Sequence, residues 1–195
     1  NRAAGHFHFR IQAAKGRKIT LELRNLANVW NSKAGSVAKE IKQVVISQDG
    51  KNWTPVPPES PEEGRVLVTL EMPGDSLFVA RAEPYRVSDL NRFLDEIKAS
   101  PLVKVTTIGK TVQGRDLEII RVGKDDAPNH VFIRARAQPW EPVGNWVVEG
   151  LVRRLLRGDA EAQKCLALYN VCILPMANKD GVERGGTRFN LGGWD

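Results

Sequence analysis

The feature of this sequence that most restricts its fold is a change in hydrophobic period near Pro84. Before this proline, apolar and polar residues alternate in short runs, and Asp49-Gly50 is a strong signal for a hairpin turn. After it, "RVSDLNRFLDEI" carries apolar residues at the i, i+3, i+4 and i+7 spacing of a helix. The sequence therefore predicts an all-β sandwich over residues 1–84 and an α/β domain over residues 85–195.

The second part alternates strand-like and helix-like segments. Residues 130–137 ("HVFIRARA") and 169–176 ("YNVCILPM") are apolar runs typical of buried strands. Between them, residues 143–157 carry an apolar stripe that includes Val147 and ends at Gly158, which predicts a helix closed by a C′ glycine. The order strand, helix, strand favours a βαβ unit in which the two strands are neighbours.

Composition and charge argue against several classes of protein. The net charge is +6 and the pI is about 9.5, which raises nucleic acid or acidic substrates as partners. There is no run of five like charges, so the surface is predicted to be mixed and solvated, with no nucleic-acid footprint. No apolar run reaches 18 residues, so no membrane span is predicted. Cys165 and Cys172 lie in apolar contexts typical of buried thiols, which favours a reducing compartment.

Polar side chains follow both predicted strands. Gln138 and Glu141 come directly after the first strand, and Arg188 lies in the glycine-rich stretch "NKDGVERGGTRFNLGGWD" after the second. The carboxyl ends of neighbouring parallel strands meet at one edge of a sheet, so both loops are predicted to border one crevice. The glycine-rich stretch lacks the spacing of a P-loop or a dinucleotide fingerprint.

Each of these polar residues has two interpretations. A hydrolytic zinc site takes about three protein ligands, commonly histidine and carboxylate, and Gln138-x-x-Glu141 has the spacing of a His-x-x-Glu pair. However, an amide oxygen is a poor substitute for imidazole, and the residues alone favour a polar loop in which Glu141 starts a helix. Arg188 has the forked donors that bind a carboxylate or an oxyanion, or it is a surface arginine between turns.

The three histidines are interpreted as structural. His6 and His8 share one face of a strand, which is a spacing that can bind metal. Their alternation with Phe7 and Phe9 favours a half-exposed strand instead. His130 stands alone at the start of its strand.

Several segments, taken in order, resemble the zinc carboxypeptidases of the carboxypeptidase A type, especially their cytosolic-carboxypeptidase-like branch. The family's first zinc-ligand segment, in which His-Pro-x-Glu leads into a helix, is resembled by "RARAQPWEPVGNWVVEGLVRRLL". The family's Asn-x-Asp-Gly-Val stretch and the arginine loop that follows it are resembled by "ILPMANKDGVERGGTRFNLGGWD". "YRVSDLNRFLDEI" and "IGKTVQGRDLEIIRVG" resemble the start of the catalytic domain. The resemblance implies an N-terminal all-β sandwich followed by part of a three-layer α/β/α domain with a mixed sheet.

The resemblance also implies site roles. Position 138 is implied to be a zinc-ligand position, Glu141 the second ligand and Arg188 the oxyanion-stabilising arginine. The sequence departs from the family because Gln138 stands where the family has histidine. The third ligand, the Asn-Arg pair that binds the substrate carboxylate and the general-base glutamate would lie in the remainder of the catalytic domain, beyond Asp195.

The function implied is that of a cytoplasmic zinc metallocarboxypeptidase, a protease that hydrolyses the C-terminal residue of peptides or proteins, seen here as a partial chain with a disarmed ligand position. Neither nucleic acid nor a membrane is expected as a partner. Two alternatives stay open. One is a catalytically inactive pseudoenzyme that binds peptide C-termini, and the other is a β-sandwich interaction module with a degenerate α/β partner.

Overall fold

The computed structural model describes residues 5–30, 32–62 and 64–194. The chain divides into two compact units, residues 1–84 and residues 85–195. Each unit contains its own cluster of buried apolar side chains.

The first unit consists of antiparallel strands, and no α-helix occurs in its described residues. The strands are β1 (His8–Gln12), β2 (Lys18–Leu23), β3 (Ala27–Trp30), β4 (Lys33–Ser36), β5 (Val44–Ser47), β6 (Thr54–Val56), β7 (Glu59–Glu62), β8 (Arg65–Glu71) and β9 (Ser76–Ala80), with a short 3₁₀ helix at Ala38–Glu40.

These strands form two larger sheets, in the orders β1-β9-β5-β6 and β2-β8-β7, and β3 pairs with β4. Alternate residues of β8, such as Val66 and Val68, are buried, as the period-two pattern predicts. They share one core with Leu77 and Val79 of β9 in the other sheet. The predicted sandwich of two sheets around a common core is therefore observed.

The second unit mixes helices and strands. Its elements are α1 (Val87–Ile97), β10 (Val103–Lys110), β11 (Asp116–Val122), β12 (Asn129–Arg134), α2 (Val143–Leu155), α3 (Ala160–Leu168), β13 (Tyr169–Leu174) and α4 (Lys179–Glu183). The sheet order is β10-β11-β13-β12. β12 and β13 are parallel, whereas β10–β11 and β11–β13 are antiparallel, so the sheet is mixed.

The core of this unit lies between the helices and one face of the sheet. Ile120 of β11 pairs with Ile173 of β13, and both are fully buried. Leu90 of α1 and Val152 of α2 belong to the same buried cluster. The helical period predicted for α1 is thus explained by packing of its apolar face.

The prediction that residues 130–137 form a buried strand is wrong. β12 ends at Arg134, and Phe132 is 63% exposed. In the part of the chain that the structure describes, β12 has β13 as its only neighbour and lies at the sheet edge. Ile133 packs against the core, so its neighbour Phe132 points to the opposite face. Val147 of α2 is likewise 63% exposed and does not belong to the buried stripe.

This difference between β12 and β13 can be measured by unfolding in urea. We expect Ile173→Ala to lower the free energy of unfolding by about 2–5 kcal/mol, because it leaves a cavity in the core. Phe132→Ala should lower it by less than about 1 kcal/mol, because the ring is already exposed to solvent. Equal losses in the two variants would contradict the edge position of β12.

Candidate active site

The loops that follow β12 and β13 are hydrogen-bonded to each other. In the 135–142 loop, the carbonyl oxygen of Ala135 accepts from the backbone N–H of Ala177 at 3.1 Å, and that of Arg136 accepts from Asn178 at 3.1 Å. Further along, the backbone N–H of Trp140 donates to the carbonyl oxygen of Thr187 at 3.3 Å. The prediction that both loops border the same place is therefore confirmed. The second of them, the 175–191 loop, includes α4.

Gln138 is held within its own loop. The indole Nε1–H of Trp140 donates to Oε1 of Gln138 at 3.0 Å. An indole N–H can only donate, so this bond orients the amide with its oxygen towards Trp140. That oxygen is the atom of Gln138 that would have to coordinate a cation, and it already accepts a hydrogen bond.

Glu141 precedes α2 but does not belong to its first turn. Its backbone N–H donates to the carbonyl oxygen of Gln138 at 3.2 Å, which closes a turn over Pro139 and Trp140. α2 begins at Val143, and its first turn contains no acidic residue. The interpretation of Glu141 as a helix-starting residue is therefore not supported, and its side chain is exposed beside the loop.

The residues present do not fit zinc as they stand. Gln138 and Glu141 offer one amide oxygen, already hydrogen-bonded, and one carboxylate, whereas zinc takes about three protein ligands. No cluster of three or more His, Cys, Asp or Glu side chains suited to a metal ion occurs among the described residues. We therefore derive no reaction step through a metal for this chain.

Asp180 joins the 175–191 loop to the turn between β10 and β11. It is 3% exposed and accepts hydrogen bonds from Oγ1 of Thr111 at 2.8 Å, from the backbone of Gln113 at 3.0 Å and from Arg115 at 2.6 Å. Burial alone would raise the pKa of Asp180, but these hydrogen bonds outweigh it and hold the pKa below its ordinary value. The carboxylate therefore stays ionised and anchors the loop.

A close approach of the two loops requires glycine at position 181. The side chain of Asn178 accepts from the backbone N–H of Gly181 at 3.0 Å, which forms a local turn. A Cβ atom at position 181 would lie 2.7 Å from Oδ1 of Asn178 and closer still to Cγ of Pro139. The Asn-x-Asp-Gly pattern thus has a packing role, and its spacing is the signal that could have pointed to Asp180.

Arg188 lies one residue beyond the contact between the loops. It is half-buried and follows Thr187, whose carbonyl oxygen accepts from Trp140. The backbone N–H of Gly186 donates to Gly181 at 2.8 Å, so the segment before Arg188 folds back on α4. The structure brings together the segments that carry Gln138, Glu141 and Arg188, while their roles in chemistry stay predictions.

The predicted strand face shared by His6 and His8 is not observed, because β1 begins at His8 and His6 precedes it. His8 is exposed on β1, and its ring centroid lies 5.7 Å from that of Trp53 and 6.2 Å from that of Phe78. His130 is an exposed residue of β12.

Comparison with known proteins shows similarity to carboxypeptidases. The model of the zinc carboxypeptidase family matches residues 90–194. Cytosolic carboxypeptidase 2 of Danio rerio is 28% identical over 151 residues, which cover 69% of this chain and 21% of that protein. Cytosolic carboxypeptidase 6 of Caenorhabditis elegans is 30% identical over 130 residues, which cover 62% of this chain and 28% of that protein.

Solved structures resemble almost the whole chain. The metallo-carboxypeptidase from Pseudomonas aeruginosa has a TM-score of 0.86 and 30% identity, over 97% of this chain and 50% of that one. The metallo-carboxypeptidase from Burkholderia cenocepacia has a TM-score of 0.86 and 29% identity, over 96% of this chain and 50% of that one. The chain thus spans about half the length of these solved relatives and less than a third of the two cytosolic carboxypeptidases.

The ligand geometry predicts weak zinc binding. We expect equilibrium dialysis of the 195-residue chain against one equivalent of zinc to leave the chain far from saturated, because Glu141 is the one good ligand in the loop. Residual binding should fall further in the Glu141→Gln variant, which removes the charge and keeps the shape. One tightly bound zinc ion per chain would contradict this prediction.

The packing of the two loops predicts opposite effects of two glycine substitutions. Gly181→Ala should lower the free energy of unfolding by about 1–3 kcal/mol, because the new methyl group overlaps Asn178 and Pro139. Gly150→Ala is the matched control, since Gly150 is an exposed residue of α2 and a Cβ there meets no atom within 4 Å. It should raise the free energy of unfolding by about 0.5–1 kcal/mol. Thermal or urea denaturation would measure both, and an unchanged stability of Gly181→Ala would refute the close approach.

Proposed function

The chain belongs to the zinc carboxypeptidase family, and from this membership we propose that it is the N-terminal part of a metallocarboxypeptidase that removes the C-terminal residue of peptides or proteins. The observation that carries the proposal is the hydrogen bond from Trp140 to Thr187, because it joins the loop with Gln138 and Glu141 to the loop with Arg188. A hydrolytic site needs these groups to act on one substrate bond, and loops in contact meet that need.

In this proposal the chain contributes three positions to the site. Position 138 and Glu141 are metal-ligand positions, the first of them disarmed by glutamine, so that the chain as it stands binds zinc only weakly. Arg188 donates hydrogen bonds to the oxyanion that develops when the scissile carbonyl is attacked. Its guanidinium can present two parallel donors, and one preorganised donor of this kind lowers the barrier by roughly 3–4 kcal/mol.

We further propose that residues 1–84 are an N-terminal β-sandwich domain and residues 85–195 the first part of the catalytic domain. The remainder of that domain would supply the other ligand, the general base and the site for the substrate carboxylate. This proposal is supported by the coverage of the solved relatives, of which the chain matches about half.

The substrate class is supported by a solved relative. The metallo-carboxypeptidase from Pseudomonas aeruginosa was solved with (2-guanidinoethylmercapto)succinic acid. The succinic acid part of that ligand carries carboxylates, as a peptide C-terminus does. A location in the cytoplasm is proposed from the names of the cytosolic relatives. The described helices are each too short or too polar to cross a membrane.

A second function is favoured by one specific contact. The indole N–H of Trp140 donates to the amide oxygen of Gln138, so this oxygen already has a hydrogen-bond partner. The backbone hydrogen bonds between the two loops are present in the same structure. A protein with this arrangement can keep the shape that receives a peptide C-terminus without cleaving it. The alternative proposal is therefore a peptide-binding pseudoenzyme.

The role of Arg188 is tested in the full-length protein carrying Gln138→His, with added zinc and peptides that differ only in the last residue. We expect Arg188→Ala to lower kcat by about 100-fold or more with little change in KM, the pattern of an interaction made mainly in the transition state. Arg184→Ala is the matched control, because Arg184 is an exposed arginine of the same loop. An unchanged kcat would remove Arg188 from the site, and hydrolysis of none of the peptides would favour the pseudoenzyme.

A further inference from the structure

Arg136 is a buried cation at the base of the 135–142 loop. It is 5% exposed, and its backbone has a φ of 54°, in the left-handed region that arginine rarely adopts. Its Nε–H donates to the carbonyl oxygen of Pro139 at 2.7 Å. Its Nη1 donates to the carbonyl oxygen of Tyr85 at 3.1 Å and to Oδ1 of Asn145 at 3.0 Å.

These three acceptors belong to three different segments. Pro139 lies in the loop between Gln138 and Trp140, Tyr85 lies two residues before α1, and Asn145 is in the first turn of α2. The amide of Asn145 in turn donates to the carbonyl oxygen of Pro175 at 2.7 Å, where the chain leaves β13. One guanidinium therefore links the loop after β12 to α2, to the segment that leads into α1 and, through Asn145, to the loop after β13.

Burial of the Arg136 guanidinium is not explained by a gain in folding stability. The buried guanidinium donates to three neutral oxygens, and burial of a charge without a charged partner among these acceptors is unfavourable. Apolar residues of similar volume often replace buried charged groups without loss of stability. A buried arginine with strained backbone at this position therefore points to a geometric requirement, because its planar donors fix the directions of several acceptors at once.

We propose that Arg136 is the positioning residue of the 135–142 loop and sets the place of Gln138 and Glu141 relative to the 175–191 loop. It acts through the carbonyl of Pro139, which lies between these two residues in sequence, and contacts no reacting atom itself. The geometric part of this inference depends only on the contacts of the chain. Its consequence for metal binding and catalysis rests on the proposed function.

The geometric part is tested in the 195-residue chain by NMR of the Trp140 indole N–H, assigned with a Trp140→Phe variant. This group bonds to Gln138, so its chemical shift and hydrogen exchange report the position of the loop. In Arg136→Lys, which keeps the charge and loses the planar fork, we expect the indole resonance to shift and its exchange to accelerate at least tenfold. Arg134→Lys is the matched control, because Arg134 is an exposed arginine two residues earlier, and it should change neither.

A second variant keeps the test decisive if Arg136→Lys does not fold. Asn145→Ala removes the side-chain acceptor of Nη1 and leaves the arginine, and it should shift the same resonance in the same direction by a smaller amount. Amides of β11 and β13 serve as the internal reference. An unmoved indole resonance in a folded variant would overturn the proposal, as would an exchange rate that rises equally in the loop and in these strands.

The functional consequence is tested in the full-length protein carrying Gln138→His. Groups that orient metal ligands typically change metal affinity by about 10–100-fold, so Arg136→Lys should weaken zinc binding by at least tenfold while Arg134→Lys does not. Unchanged zinc affinity in a Gln138→His protein that binds zinc would overturn the consequence of this positioning for the metal site. If the Gln138→His protein binds no zinc and cleaves no peptide, the proposed function fails, and the indole measurement still decides whether Arg136 positions the loop.

Discussion

The parallel pairing of β12 with β13 is the interaction on which the rest of the second unit depends. Its register aligns Asn129 with Tyr169 and Arg134 with Leu174, so both strands end at the same edge of the sheet. Antiparallel pairing would place their carboxyl ends at opposite edges and separate the two loops. The parallel arrangement requires a crossover, which α2 and α3 provide, and α2 also covers the sheet face that carries Ile173.

Two buried charged residues hold the loops that follow the two parallel strands in place. Asp180 links the loop after β13 to the turn between β10 and β11, and Arg136 links the loop after β12 to α2 and to Tyr85, two residues before α1. Each charge is surrounded by hydrogen-bonding groups, without which its burial would be strongly unfavourable. Loops lack the repeating hydrogen bonds of helices and strands, so single ionised side chains with several partners replace them here.

The sequence predicted where helices and strands lie better than it predicted the burial and the contacts of their residues. Helical and alternating periods located α1 and the strands of the first unit because the period follows from local geometry. The exposure of Phe132 was missed, since an apolar strand has the same pattern in the middle of a sheet and at its edge. Of the two interpretations of Glu141, the helix start failed because the helix begins after Pro142. The role of Arg136 was missed because its partner Tyr85 lies 51 residues away in sequence. The Asn-x-Asp-Gly spacing marks Asp180 but does not identify its partner Thr111, which lies 69 residues away.

Side chains and backbone groups of the chain itself hold the loop that carries Gln138. The 135–142 loop is held by Arg136 beneath it, by Trp140 on Gln138 and Thr187, and by the fit of Pro139 against Gly181. Of the groups that make these contacts, Oε1 of Gln138 is the one that the proposed metal site would use. The contacts of Arg136, of Pro139 and of the Trp140 backbone do not involve the side chain at position 138, so a substitution there leaves them in place. The two proposed functions therefore differ at this one side chain: histidine would complete the ligand pair of the proposed hydrolase, whereas glutamine fits the proposed binding protein.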